Sequence, residues 1–250
     1  GNVTTAISGA APINPDILTL FQFLNVPLFE GYGLTESTAG ASLNFALNNK
    51  IGSVGKLFPG TEAKINDDGE ILLKGRHIMK GYYKNETATK ESIIDGWFYT
   101  GDVGKMDDEG FLYITGRKKE IYVSSAGKNI PPLVIEETMK SIPIVSQCFL
   151  VGDNRNYCSA LFTLDVGAIL RDKIGMEATK IPKDPIGQLQ SLKDNGYTLS
   201  DFTESEKILG EMQKEVDKLN LKFSNPEQLK KFSILPRDFT IDDGELTQTL

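Results

Sequence analysis

The chain has 250 residues and a formal net charge of −7, with no basic run longer than Arg117-Lys118-Lys119. A nucleic-acid surface needs clustered cations to displace counterions, so nucleic acid is excluded as a partner, although a single nucleotide needs only a few donors. Two cysteines, Cys148 and Cys158, are too few for a disulfide framework or a zinc site, and no apolar run reaches the length of a membrane-spanning helix.

Both cysteines lie in apolar, strand-like runs and read as buried thiols, which fits a reducing cytoplasm. The chain opens Gly1-Asn2-Val3-Thr4 already in a strand pattern, with no starting Met and no signal-peptide pattern, and is expected to be a fragment. Residues 2–8 predict a buried strand that runs into Gly9-Ala10-Ala11-Pro12. Asn14 then caps a helix with Pro15 at its first position, and Ile17, Leu18, Phe21 and Leu24 are its expected inner face. A strand over residues 26–29 enters Gly31-Tyr32-Gly33. Strand, helix, strand in this order predicts the last unit of an α/β subdomain over residues 1–48.

The texture changes from about residue 49 to 116. Asp67-Asp68-Gly69 and Asp108-Glu109-Gly110 each separate two short apolar runs, which is a hairpin signal, and the segment predicts a small antiparallel β-barrel. Residues 116–130 read as a polar, basic linker. Pro131-Pro132 opens a helix over about 133–140, and strands follow over 145–151 and 157–164. Residues 165–235 read as mostly helical and polar. Thr203 and Glu206 have capping-box spacing, and Ile208, Met212, Val216 and Leu219 mark one helix face. Residues 117–250 thus predict an α+β domain with a helical insertion.

Four segments carry candidate chemistry. Gly31-Tyr32-Gly33-Leu34-Thr35-Glu36 follows a strand: its glycines let backbone approach a ligand, Tyr32 offers an aromatic face, Thr35 a hydroxyl, and Glu36 a hard carboxylate for Mg²⁺. Gly69-Glu70-Ile71 through Gly81-Tyr82-Tyr83 reads as a hairpin and a loop with a structural role, and His77 within it reads as a surface histidine. Asp95-Gly96-Trp97-Phe98-Tyr99-Thr100-Gly101-Asp102 ends on an aspartate suited to accept two ribose hydroxyls. Gly116-Arg117-Lys118-Lys119-Glu120 offers Arg117 to ribose or phosphate and is followed by Ala126-Gly127-Lys128-Asn129. Each segment alone also reads as an ordinary turn or a solvated linker.

In this order, and over nearly the whole chain, the four segments resemble the consecutive motifs of the adenylate-forming enzymes. That superfamily holds acyl-CoA synthetases, peptide-synthetase adenylation domains and luciferases. The run from Asp95 to Lys119 is similar to the signature of fatty acyl-CoA synthetases, and the long helical region before Leu246–Leu250 resembles their long-chain branch. The resemblance implies ATP or AMP as the nucleotide, Mg²⁺ as the metal, and fatty acid and CoA as partners. It places Gly9, Ala10 and Ala11 along the adenine, and Tyr32 stacked on it with Gly31 and Gly33 close by. Thr35 falls on the α-phosphate, Glu36 on Mg²⁺, Asp102 on the ribose and Arg117 on ribose or phosphate. Lys119 falls at the hinge of the C-terminal lid domain, and Gly127 and Lys128 face the pantetheine of CoA.

Two elements of the family pattern are missing from these 250 residues. No Ser/Thr/Gly-rich loop ending in Lys appears, and the adenylating lysine would follow the Leu246–Leu250 ending. The resemblance therefore implies a C-terminal part that forms no acyl-AMP by itself. A carrier-protein-loading enzyme and a non-catalytic nucleotide-binding module stay open as alternatives. The expected location is cytoplasmic, with peripheral membrane contact left open by the lipid substrate.

Overall fold

The turn chemistry of the sequence sets the local structure. A computed structural model describes residues 5–9, 13–241 and 243–245. The chain divides into two compact units, Gly1–Ile121 and Tyr122–Leu250.

In the first unit, strand β1 (Ala6–Ser8) is joined by helix α1 (Pro15–Phe23) to strand β2 (Leu28–Tyr32), which pairs parallel to it. The Asn14 side chain accepts the Asp16 N–H at 2.8 Å, satisfying one of the donors that a helix start leaves orphaned. The inner face of α1 departs from expectation. Leu18 is buried and Phe21 half-buried, whereas Ile17 and Leu24 are exposed, because among the described residues only one side of the helix is covered. Strands β3 (Ser42–Leu43) and β4 (Lys56–Leu57) continue this sheet in the order β1-β2-β3-β4.

A second sheet follows. Strands β5 (Glu62–Ile65) and β6 (Glu70–Lys74) form the hairpin that Asp67-Asp68-Gly69 predicts, with Gly69 at φ +85°, where a side chain would be strained. Helix α2 (Glu86–Ser92) and strand β7 (Ile93–Ile94) precede strand β8 (Trp97–Met106), which turns at Asp107–Gly110 into strand β9 (Leu112–Arg117). Strand β6 lies on one edge of β8, and β7 and then β9 occupy the other. The two sheets meet where Leu112 N–H donates to Gly55 O at 2.9 Å and Lys56 bridges Phe111. The expected barrel is therefore corrected. Among the described residues the sheets are open, since β8 divides one edge between two partners and β5 remains at the rim. Ala41, Val54, Ile71, Leu73 and Leu112 are packed together as the core.

In the second unit, strands β10 (Tyr122–Val123) and β11 (Asn129–Ile130) make a short hairpin within the stretch expected to be linker. Helix α3 (Pro132–Met139) packs on the antiparallel pair β12 (Val145–Val151) and β13 (Cys158–Leu164). Helices α4 (Val166–Asp172), α5 (Pro185–Asp194), α6 (Ser200–Thr203) and α7 (Glu206–Asn220) follow. Strand β14 (Leu229–Ile234) then returns parallel to β13 and lies inside a stretch read as mostly helical. The cap of α7 is Ser205, whose side chain accepts from Ile208 N–H. Thr203, expected to cap it, is buried at the end of α6. The predicted α7 face is borne out: Ile208, Met212, Val216 and Leu219 are all buried. Both cysteines are buried free thiols, and burial pushes the Cys148 and Cys158 thiols up, away from reactivity. Among the described residues no helix is long and apolar enough to cross a membrane.

Candidate active site

Gly33, just after β2, is demanded by close backbone approach, and Gly31, within β2, is crowded by the Leu43 side chain. A Cβ on Gly33 would lie 2.2 Å from Ala39 O, and one on Gly31 would lie 2.7 Å from Leu43 Cδ1. Ala41 N–H donates to Tyr32 O, so the chain folds tightly back over the turn that follows β2. That turn is a single 3₁₀ turn, Thr35–Ser37, in which Ser37 Oγ accepts the Leu34 N–H at 2.9 Å. The turn presents Thr35 to solvent and leaves Glu36 half-exposed. At the end of β1, Gly9 lies beside Gly31: a Cβ there would be 3.5 Å from Gly31 O. Ala10 and Ala11 lie outside the described residues.

Asp102 is on β8, cross-strand from Arg117 on β9. It is 5% exposed. Tyr32 Oη donates to its Oδ2 at 2.6 Å, and Arg117 Nε stands 3.4 Å from its Oδ1. The structure thus joins three residues to which the resemblance assigns separate roles. Burial raises the Asp102 carboxyl above the usual range, the Tyr32 bond and the Arg117 charge oppose that, and the charges of Glu36 and Glu70 add to it. The Tyr32 phenol is pushed up by burial and then by the Asp102 charge, so it stays protonated and remains a donor.

Glu36 is held from a loop that the sequence reading left structural. Tyr82 Oη donates to its Oε1 at 2.9 Å, and Met79 N–H donates to its backbone carbonyl at 2.8 Å. Burial and the Glu36 carboxylate raise the Tyr82 phenol. Glu70, from the same part of the sequence, is buried, with Oε1 accepting the Gly101 N–H at 2.9 Å and Oε2 accepting Lys118 Nζ at 2.7 Å. Thr100 Oγ1 donates to Ile71 O and accepts the Asp102 N–H, fixing the residue before the glycine as well. No spacing signal marks Tyr82 or Glu70; each is an ordinary residue of a hairpin or loop until the fold brings it to the site. His77, expected on the surface, is half-buried, and its carbonyl accepts the Thr38 hydroxyl at 2.7 Å.

Lys119 lies exposed in the 3₁₀ turn Lys118–Glu120 that follows β9. Gly127 and Lys128 belong to the second unit, in the turn between β10 and β11. Gly127 has φ +74° and donates to Ser124 O, and the Lys128 N–H donates to Ser124 Oγ. Both are exposed.

Residues 1–83 match the model of the family described as AMP-binding enzyme. A long-chain-fatty-acid–CoA ligase, FadD15 of Mycobacterium bovis, is 40% identical over 250 residues, which is 100% of this chain and 39% of that protein. The long-chain-fatty-acid–CoA ligase ACSBG1 of Rattus norvegicus is 36% identical, with 97% of this chain and 35% of that protein covered. Among solved structures, o-succinylbenzoate CoA synthetase (MenE) of Bacillus subtilis in complex with the acyl-adenylate intermediate OSB-AMP superposes with a TM-score of 0.69 at 25% identity, over 99% of this chain and 45% of that one. The same enzyme in complex with AMP superposes with a TM-score of 0.63 at 25% identity, over 92% of this chain and 42% of that one.

The chain is similar to adenylate-forming, AMP-binding enzymes, and residues 1–83 carry the match to that family. Within them it is similar to long-chain-fatty-acid–CoA ligases, of which it spans about 39% of the length in the Mycobacterium bovis relative.

Proposed function

We propose that this chain forms the nucleotide- and thiol-facing part of a long-chain fatty acid–CoA ligase, which converts ATP, fatty acid and CoA into acyl-CoA, AMP and pyrophosphate through an acyl-adenylate. The observation that carries it is the Tyr32–Asp102–Arg117 cluster, with Glu36 on the turn that follows Tyr32.

The residues fit a nucleotide. The Tyr32 ring, its hydroxyl anchored on Asp102, supplies a stacking face for adenine, with the backbone of Gly31 and Gly33 beside it in the chain. Asp102 Oδ1 serves the ribose hydroxyls, with Arg117 free to move from Asp102 to ribose or phosphate. The exposed Thr35 hydroxyl meets the α-phosphate. The site also fits Mg²⁺. Among the described residues no three His, Cys, Asp or Glu are grouped to hold a metal by themselves, and Mg²⁺ characteristically takes one or two carboxylates plus phosphate oxygens and waters. Glu36, with one oxygen fixed by Tyr82, is such a carboxylate. When bound, the ion neutralises charge on the phosphates.

The fatty-acid carboxylate attacks the α-phosphorus and pyrophosphate leaves; the CoA thiolate then attacks the acyl carbonyl and AMP leaves. Lys119 is the pivot for the second half-reaction, in which the residues beyond it act as the lid and Gly127 and Lys128 face pantetheine. A cytoplasmic location with peripheral membrane contact belongs to the same proposal.

The test is to supply the product of the complete reading frame with ATP, Mg²⁺, palmitate and CoA. Palmitoyl-CoA and AMP in equal amounts support the proposal. Acylation of a carrier protein but not of CoA would reassign the acceptor. Nucleotide binding without any thioester or pyrophosphate would make the site a non-catalytic module.

A further inference from the structure

Glu70 presents a physical problem. It is 4% exposed, and a buried carboxylate is destabilising unless fully paired; a well-packed apolar side chain serves stability as well or better. Yet both of its side-chain hydrogen bonds reach residues beside the nucleotide-facing charges, Gly101 in the middle of β8 and Lys118 just past the end of β9. Oε1 accepts the N–H of Gly101, which has φ +74° and immediately precedes Asp102. Oε2 accepts Lys118 Nζ, and Lys118 immediately follows Arg117. Lys118 Nζ also stands 2.6 Å from Asp68 Oδ2, on the turn before β6. Asp102 and Arg117 are themselves cross-strand partners. One buried carboxylate therefore grips both neighbours of that pair.

We propose that Glu70 and Lys118 are positioning residues for nucleotide binding. On this view they form a latch that fixes Asp102 and Arg117 in register and confines the pivot to Lys119 and beyond. The inference rests on the reading of Asp102 and Arg117 as nucleotide-facing. Glu70 touches neither nucleotide nor substrate; it acts through Gly101 and Lys118. Lys118 also balances the Glu70 charge, which would otherwise stand unopposed close to Asp102.

The variants separate charge from shape. Glu70→Gln keeps an oxygen for the Gly101 N–H and loses the ionic grip. Lys118→Met keeps the aliphatic stem and loses the ammonium. Lys118→Arg restores a cation. AMP binding is titrated with the product of the complete reading frame, with Asp102→Asn as the reference, alongside amide hydrogen exchange at Gly101 and Asp102 and thermal melting. Both charge-removing variants are expected to weaken AMP about tenfold, equivalent to about 1.4 kcal/mol, and to speed exchange at Gly101. Lys118→Arg should recover AMP binding to within about twofold. Steady-state kinetics should show KM for ATP rising more than kcat falls.

The inference is overturned if Lys118→Met binds AMP like the unaltered protein while Asp102→Asn weakens it. It is also overturned if the loss merely follows a fall in melting temperature and Lys118→Arg does not recover it. If Asp102→Asn itself leaves AMP binding unchanged, or the unaltered protein does not bind AMP, the reading of the site fails and the latch falls with it.

Discussion

Tyr32 and Asp102 stand 70 positions apart in the chain and 2.6 Å apart at their oxygens. Their hydrogen bond sets the chemistry of the site, because it keeps a buried carboxylate satisfied while leaving its second oxygen beside Arg117. Tyr32→Phe should destabilise the folded chain by about 1–3 kcal/mol, the usual cost of leaving a buried polar group unsatisfied, as read from urea unfolding. The ring remains, so any stacking should survive. Gly33→Ala acts differently: the new Cβ meets the Ala39 carbonyl, a backbone atom that cannot rotate away. Its expected cost is about 1–3 kcal/mol from overpacking, and the shift of the 3₁₀ turn should move Glu36 away from Tyr82. Unchanged stability in the Gly33→Ala protein would contradict the close approach described for this turn.

At the scale of elements, the β8–β9 turn is tied to the loop before β4 by charge. Lys50 Nζ lies 2.7 Å from Asp107 Oδ2 and 2.7 Å from Glu109 Oε1. The hydrogen bond from Lys50 brings the Asp107 carboxyl down to about 2 from an ordinary 3.8. A carboxyl lowered on folding contributes stability that is fully present above the ordinary value and is lost as pH falls from 3.8 towards 2. Urea unfolding across that range should show a steeper acid loss for the unaltered chain than for Asp107→Asn. In the second unit, α7 buries Ile208, Met212, Val216 and Leu219 on one face, so Met212→Ala should cost about 2–5 kcal/mol of unfolding free energy.

These elements show which features a sequence displays and which it hides. The α7 face and the two Asp-Gly turns were legible because their signals are local: a 3.6-residue period, and residues that tolerate the turn. Strand β14 was not, because Lys230 and Lys231 break its alternation and its identity comes from pairing with β13, about seventy positions earlier. The cap of α7 was misplaced by two residues, since Thr203 and Ser205 both suit the role and only the break between α6 and α7 selects Ser205.

For the molecule as a whole, the two units differ in how their apolar residues are covered. The second gathers its core from α3, β12, β13, α4, α7 and β14. The first leaves Ile7, Leu20, Phe23 and Leu24 exposed around β1 and α1. Residues 122–250 produced alone should therefore unfold in one cooperative transition, and a broad, non-cooperative melt would contradict the separation into units. The candidate site was legible in outline, through the order of its motifs, because glycines, an acid and a base in fixed sequence are visible without a fold. The contacts that prepare it were not. Tyr82 on Glu36, Glu70 on Gly101 and Lys118, and Tyr32 on Asp102 all depend on β6, β8 and β9 being brought together.

The central claim is that this site serves transfer of an adenylyl group to a carboxylate. The most direct measurement follows a heavy-oxygen label placed in the carboxylate of palmitate, with ATP, Mg²⁺, CoA and the product of the complete reading frame. Attack on the α-phosphorus predicts one labelled oxygen in the released AMP and none in pyrophosphate. Label in inorganic phosphate, or formation of ADP in place of AMP, would contradict the account.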